Sequence, residues 1–241
     1  MLRKTLLFLL LATGSLFSNG ARDGVRIEVP DVATPGEVST VNTTRMFYDN
    51  LGLEPVISYD AFEEALKGYI AIDEKESDIL TLIDFSKPSN VRRLAIIDMK
   101  HGRLIDTSVV SHGQGSGELY ARKFSNRDKS HQSSLGFYLT AGTYQGGNGY
   151  SLRLVGLEKG YNDNALSRAI VMHGADYCSE SVTKTGQRLG RSWGCPAVPM
   201  DKSRKIIDTI KGGSVLFIYA DDTDYLAHSP VLSRADRGQF I

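Results

Sequence analysis

The residues that can do chemistry gather late in the chain. Ile170-Val171-Met172-His173-Gly174 ends an apolar run on a histidine, and Ser192-Trp193-Gly194-Cys195-Pro196 puts a cysteine on a short turn. A thiol is a useful nucleophile only as its thiolate, and a neighbouring imidazole is the usual means of making one. The apolar run reads as a buried strand, which would hold His173 on rigid scaffold. Gly194 permits a sharp turn and leaves room for a carbonyl group. The backbone N–H groups of Gly194 and Cys195 then become candidate donors to an oxyanion. Ser192 is expected either to fix the nucleophile turn or to hydrogen-bond substrate. The chemistry this spacing suits is acyl transfer, with Cys195 as nucleophile and His173 as base.

Other residues are expected around that pair. Arg188 and Arg191 flank the nucleophile and can receive a substrate carboxylate through paired hydrogen bonds. Trp193, Gly174 and Tyr177 are expected along the substrate path. His112 lies in the glycine-dense stretch Ser111–Gly117 and is the second candidate histidine, on a substrate-side loop. That loop lacks the Lys-Ser/Thr ending and following helix of a phosphate cradle. A zinc site from His173, Cys178 and Cys195 would need a fourth ligand or an open position, and the spacing matches no standard pattern, so no metal or cofactor is expected. A Cys178–Cys195 disulfide is the structural alternative for the nucleophile; it would close a loop of about 16 residues worth roughly 3 kcal/mol.

The elements that must position these groups divide the 241 residues into four stretches. Residues 1–20 carry Arg3 and Lys4, then an apolar run to Phe17, then Ser18-Asn19-Gly20, and read as a cleaved secretory signal rather than a membrane span. Residues 21–78 form an N-terminal arm. A short helix is expected at Thr43–Leu51, and an amphipathic one follows a capping-box-like start at Asp60-Ala61-Phe62-Glu63. Residues 79–220 are rich in short apolar runs of strand length, with turns between them. Pro196 to Pro199 is expected to be irregular, and Asp201 to cap a helix that Gly212-Gly213 ends. Residues 221–241 read as a polar, aperiodic tail. Lys+Arg and Asp+Glu both number 28, with no basic stripe, so no nucleic-acid partner is expected. Many short strands and few helices indicate a mainly β domain built as a sandwich or a barrel-like pair of sheets.

The His-Gly, variable loop and Ser-x-Gly-Cys series resembles the catalytic motif of the L,D-transpeptidase (YkuD-like) family. Gly194-Cys195-Pro196-Ala197 is similar to the subgroup described as murein L,D-transpeptidase catalytic domain proteins. The likeness runs from about Phe47 to Tyr219 and includes Ile83–Ser89, Ser133–Tyr138 and Gly149–Leu154. It implies the L,D-transpeptidase β-sandwich with a few flanking helices, over 79–220. It also implies an exported cysteine acyltransferase of the cell envelope, periplasmic or secreted, whose partners are peptidoglycan stem peptides. Such an enzyme forms a thioester on Cys195, releases terminal D-alanine and transfers the acyl group to an amine. Transfer to water would make it an L,D-carboxypeptidase, and a disulfide-bonded chain an inactive wall-binding protein. Two positions depart from the commoner pattern. Trp193 stands where His is frequent, and Ala197 where an Arg or Asn is usual, so Arg191 or Arg188 is expected to substitute in substrate binding.

Overall fold

The computed structural model of the chain describes residues 43–238. The expected signal segment, 1–20, and the first part of the arm, 21–42, lie outside the described residues. The elements run α1 (Thr43–Leu51), α2 (Tyr59–Ala71), β1 (Ile79–Asp84), β2 (Leu94–Asp98), β3 (Arg103–Ser108), β4 (Gly136–Gly146) and β5 (Gly149–Gly156). They continue with β6 (Val171–Ala175), β7 (Ala197–Pro199), α3 (Met200–Ile210), β8 (Val215–Tyr219), α4 (Thr223–His228) and α5 (Pro230–Gly238).

All eight strands belong to one mixed sheet, ordered β3-β2-β1-β8-β4-β5-β6-β7. β1 pairs with β8 in parallel, and so does β6 with β7; the other neighbours are antiparallel. The sheet curls until its two ends nearly meet. Just beyond β3, Ser111 bridges Ala197 of β7, its N–H donating to the Ala197 carbonyl at 2.8 Å. The sandwich expected from the sequence is therefore one sheet folded back on itself into an almost closed barrel. Closing it this way pairs the backbone groups that a free edge would expose.

β1, β2 and β8 are buried almost throughout, as continuous runs such as Leu94-Ala95-Ile96-Ile97 require. α2 packs on β1 and β8, while α3 packs on β5, β6 and β7 and reaches β1. α3 turns Ile206, Ile207 and Ile210 inward, which is the periodicity its sequence carries. Gly174 in β6 makes that seating possible. A Cβ there would lie 2.6 Å from Ser203 Oγ and 2.9 Å from Met200 Sδ, closer than packed atoms tolerate.

Local details differ from the sequence expectations. Ser58, not Asp60, caps α2, accepting from the Ala61 N–H. Asp201 sits in the first turn of α3 rather than capping it, because Pro199 occupies the cap position. Ala197–Pro199 is a strand despite its two flanking prolines. It lies at the sheet's end, where a missing N–H costs no ladder bond. The expected C-terminal tail folds instead into α4 and α5. Asp222 caps α4, Tyr225, Val231 and Leu232 are buried, and α5 packs on α2. The anchor is Glu158, fully buried and accepting from Tyr225 Oη, Ser229 Oγ and the Phe137 N–H. Burial raises its pKa despite those donors.

Candidate active site

His173 lies in the middle of β6, between Ser151 of β5 and Ala197 of β7. Its Nδ1 is 2.9 Å from the carbonyl of Gly174, which can only accept, so Nδ1 carries the proton. The neutral ring then keeps its lone pair on Nε2, the nitrogen a base must use. Burial lowers the pKa of His173, with the Gly174 carbonyl opposing, so the ring is held neutral.

Cys195 precedes β7 by two residues, on the strand that runs parallel beside His173. Its turn is held by Ser192, whose Oγ donates to the Cys195 carbonyl at 2.6 Å and accepts the Gly194 N–H at 3.1 Å. Ser192 thus ties the turn that carries Cys195. The same bond commits the Gly194 N–H, which was expected to face an oxyanion. Gly194 itself is required by φ +124° and by the Gln132 carbonyl, 2.8 Å from where a Cβ would stand.

The thiol of Cys195 rests among backbone groups: the Val171 N–H at 3.5 Å and the Ala169 carbonyl at 3.6 Å. Ala169 has φ +54°, a costly conformation for a residue with a side chain. Burial raises the Cys195 pKa; the Val171 N–H and the Arg168 guanidinium pull the other way. Arg168 donates to the carbonyls of Ser125 and Gln132, each at 2.8 Å, and its buried Nε has no hydrogen-bond partner. Nothing in the sequence reading marked Arg168. It lies in a polar passage, and only the turn into β6 brings it to the nucleophile.

The glycine-dense loop Ser111–Gly117 packs directly on the turn that carries Cys195. The Gln114 N–H donates to the Ser192 carbonyl at 2.8 Å, and Ser133 Oγ donates to the Gly194 carbonyl at 3.0 Å. A Cβ on Gly113 would come within 2.8 Å of Gly194 Cα, so glycine permits this approach. His112, however, is closed into a buried network. It is 0% exposed, its Nδ1 accepts from Arg93 Nη2 at 2.9 Å, and its Nε2 donates to the Gly117 carbonyl at 3.3 Å. Burial and Arg93 bring its pKa to about 4. Its expected place among substrate-contacting residues is not what the fold gives it.

Arg188 and Arg191 stand beside the turn as expected, but both hold Glu118. Arg188 Nε is 2.8 Å and Arg191 Nη1 2.7 Å from its carboxylate. Trp193 is 71% exposed and stacks on His131, with ring centroids 4.8 Å apart. Gly174 and Tyr177 line, with His173, a cavity of about 600 Å³ at the end of β6. Burial pushes the Tyr177 phenol to about 12, so it stays protonated there.

The two cysteines are both free. Cys178 donates to the Ala197 carbonyl at 3.2 Å and packs with Val109, Ala175 and Leu189, whereas Cys195 packs against the main core. Burial pushes the Cys178 thiol to about 11, so it is a poor nucleophile at neutral pH. Among the described residues, no group of His, Cys, Asp and Glu is arranged to hold a metal ion. No helix among them is long and apolar enough to cross a membrane.

Residues 53–219 match the family model described as L,D-transpeptidase catalytic domain. No curated protein sequence matches the chain. Among solved structures, the chain is similar to L,D-transpeptidase 3 from Mycobacterium tuberculosis at 9% identity and a TM-score of 0.38, over 59% of this chain and 61% of that one. It is similar to an L,D-transpeptidase from Mycobacterium smegmatis at 13% identity and a TM-score of 0.37, over 60% and 59% of the two chains. For the L,D-transpeptidase of Xylanimonas cellulosilytica the values are 17% identity, a TM-score of 0.34, and coverage of 59% and 61%. The chain thus spans about three fifths of the length of each of these proteins. With the family model covering most of its length, the chain belongs to the L,D-transpeptidase catalytic domain family.

Proposed function

We propose that the protein is an exported cysteine acyltransferase of the cell envelope, acting on peptidoglycan stem peptides as an L,D-transpeptidase. Its main support is one juxtaposition: a neutral His173 with its lone pair on Nε2, and Cys195 on a tightly tied turn that leads into the adjacent parallel strand. His173 takes the Cys195 proton as the thiol attacks the carbonyl before the terminal D-residue of a stem tetrapeptide. The S–C bond forms, and the carbonyl oxygen takes the negative charge beside the Cys195 N–H. The imidazolium then gives its proton to the leaving D-alanine amine, and a thioester remains. An incoming amine loses its proton to His173 and attacks the thioester, restoring the thiol.

Resting burial keeps both groups neutral, so proton transfer accompanies attack rather than preceding it as a stable ion pair. Arg168 favours the charge that develops on sulfur. Free thiols in separate side-chain clusters support this reading over a disulfide-bonded binding protein.

The test is intact-protein mass spectrometry after incubation with stem tetrapeptides, with chromatography of the products. An acyl adduct on Cys195 and cross-linked dimers are expected. Tripeptides without dimers would instead make the enzyme a carboxypeptidase. No adduct on a demonstrably free Cys195 would refute the acyl-transfer reading.

A further inference from the structure

We infer that Arg204 is the carboxylate-binding residue of the cavity on which His173 opens, and that it selects the amine acceptor; this rests on the acyl-transfer reading above. The cavity is lined by His173, Asp176, Tyr177, Tyr150 and Arg204, but not by Cys195. A molecule entering it therefore lies against His173 rather than against Cys195. The second nucleophile of the reaction, which must lose a proton to His173, has that requirement.

Arg204 is the cation in this cavity. Its guanidinium lies 4.6 Å from the centroid of the Tyr150 ring, an arrangement that holds the charge in place while leaving its N–H groups available. Asp208, one helical turn on, is occupied by Tyr150 Oη and Lys211 Nζ, each at 2.7 Å. Among the described residues Arg204 forms no ion pair, though, with Lys211 and Tyr150, its charge helps to lower the pKa of the Asp208 carboxyl. Arg188 and Arg191, the arginines expected to bind a carboxylate, are instead closed on Glu118. The seating of Arg204 depends on Gly174, since α3 reaches β6 only where Ser203 and Met200 meet no Cβ.

Asp176 supplies an opposite charge in the same cavity. A ligand with an ammonium and a carboxylate on one carbon, the free end of an amino acid, satisfies both. In the transfer step the acceptor ammonium first releases one proton to solvent, and the neutral amine, which still carries the proton that His173 will take, attacks the thioester carbonyl carbon. Its proton passes to His173 Nε2, the C–S bond breaks, and Cys195 leaves as a thiolate that recovers the proton from the imidazolium. A C–N bond replaces the C–S bond, with no change of oxidation state.

The experiment compares D-serine with D-serinamide as acceptors for a tetrapeptide donor, in the wild-type enzyme, Arg204→Ala and Arg204→Lys. The wild type should prefer the free acid. Arg204→Ala should raise the acceptor KM for D-serine about 10- to 100-fold, with a smaller change in kcat, and erase the preference over the amide. Arg204→Lys should recover part of that preference, because it keeps the charge and loses the fork. Calorimetry of D-serine binding to Cys195→Ser enzyme, with and without Arg204→Ala, reads the cavity without a thioester. Preference or affinity unchanged by Arg204→Ala overturns the assignment. A wild-type enzyme that never acylates overturns the acyl-transfer reading, while the calorimetry still decides Arg204.

Discussion

Two buried imidazoles on either side of β7 make an instructive pair. His112 and His173 are 0% and 4% exposed, and burial lowers the pKa of both. Yet the His112 ring is spent on both nitrogens, one on Arg93 and the other on the Gly117 carbonyl. On the His173 ring only Nδ1 is spent, on its own neighbour's carbonyl, and His173 is one of the residues lining a cavity. Arg93 completes the contrast. It is fully buried, donates to the Val110 and Lys87 carbonyls as well as to His112, and stacks over Phe85. The His112 side is a closed polar network that holds the loop against the nucleophile turn. The His173 side leaves one lone pair and one cavity unassigned. A histidine can serve as a general base only where a ring nitrogen is left unspent, which His173 meets and His112 does not.

The comparison breaks first at His173. His173→Gln should cost on the order of 10² to 10⁴ in the rate of thioester formation, read by the growth of the Cys195 adduct, with the thermal unfolding midpoint little changed. If adduct formation stays near the wild-type rate, the base is elsewhere.

His112 should show itself in stability instead. Its folded pKa of about 4 lies below the 6.5 of a free imidazole, so between those values the unfolded chain binds the extra proton. Its contribution is fully present above about pH 6.5 and is lost as pH falls toward 4, amounting to roughly 3 kcal/mol. Urea unfolding across that window checks it. The slope should flatten in His112→Gln, and an unflattened slope would mean that other groups carry the acid sensitivity.

A smaller effect separates the two thiols. Removing charge by Arg168→Met should raise the Cys195 pKa further and slow its alkylation at neutral pH several-fold. Cys178, which lies among other side chains, should alkylate slowly in both proteins. Equal Cys195 rates with and without Arg168 would remove that guanidinium from the account.

The smallest effect concerns Glu118. Its carboxylate is 70% exposed, so Glu118→Gln should change stability by less than about 1 kcal/mol. It should nonetheless release Arg188 and Arg191, read as tighter binding of a dicarboxylate by calorimetry. Unchanged binding would show that this clasp serves only to tie the loop.

Much of this was legible in the residue order because it is local. Strand-length apolar runs, the helix Thr43–Leu51, the turn glycines before β8 and the Ser-x-Gly-Cys turn each follow from neighbouring residues. The expectations that failed were those in which local signals compete. Two prolines argued against a strand at Ala197–Pro199, but an outermost position needs no ladder donor from them. Residues 221–241 lack a clear apolar period, and α4 and α5 are secured by contacts to Glu158 and α2 that no window of sequence contains.

The sequence by itself determined the turn that carries Cys195, the strand that carries His173, and the helix that follows β7. Those are matters of backbone freedom and apolar periodicity, which act over a few residues. The tertiary structure alone decided which histidine keeps a free nitrogen, that Glu118 claims Arg188 and Arg191, and that Arg168 and Arg204 reach the site. Each of those depends on a partner brought from another part of the sheet, because hydrogen bonds and charges are settled by distance in space and not by distance along the chain.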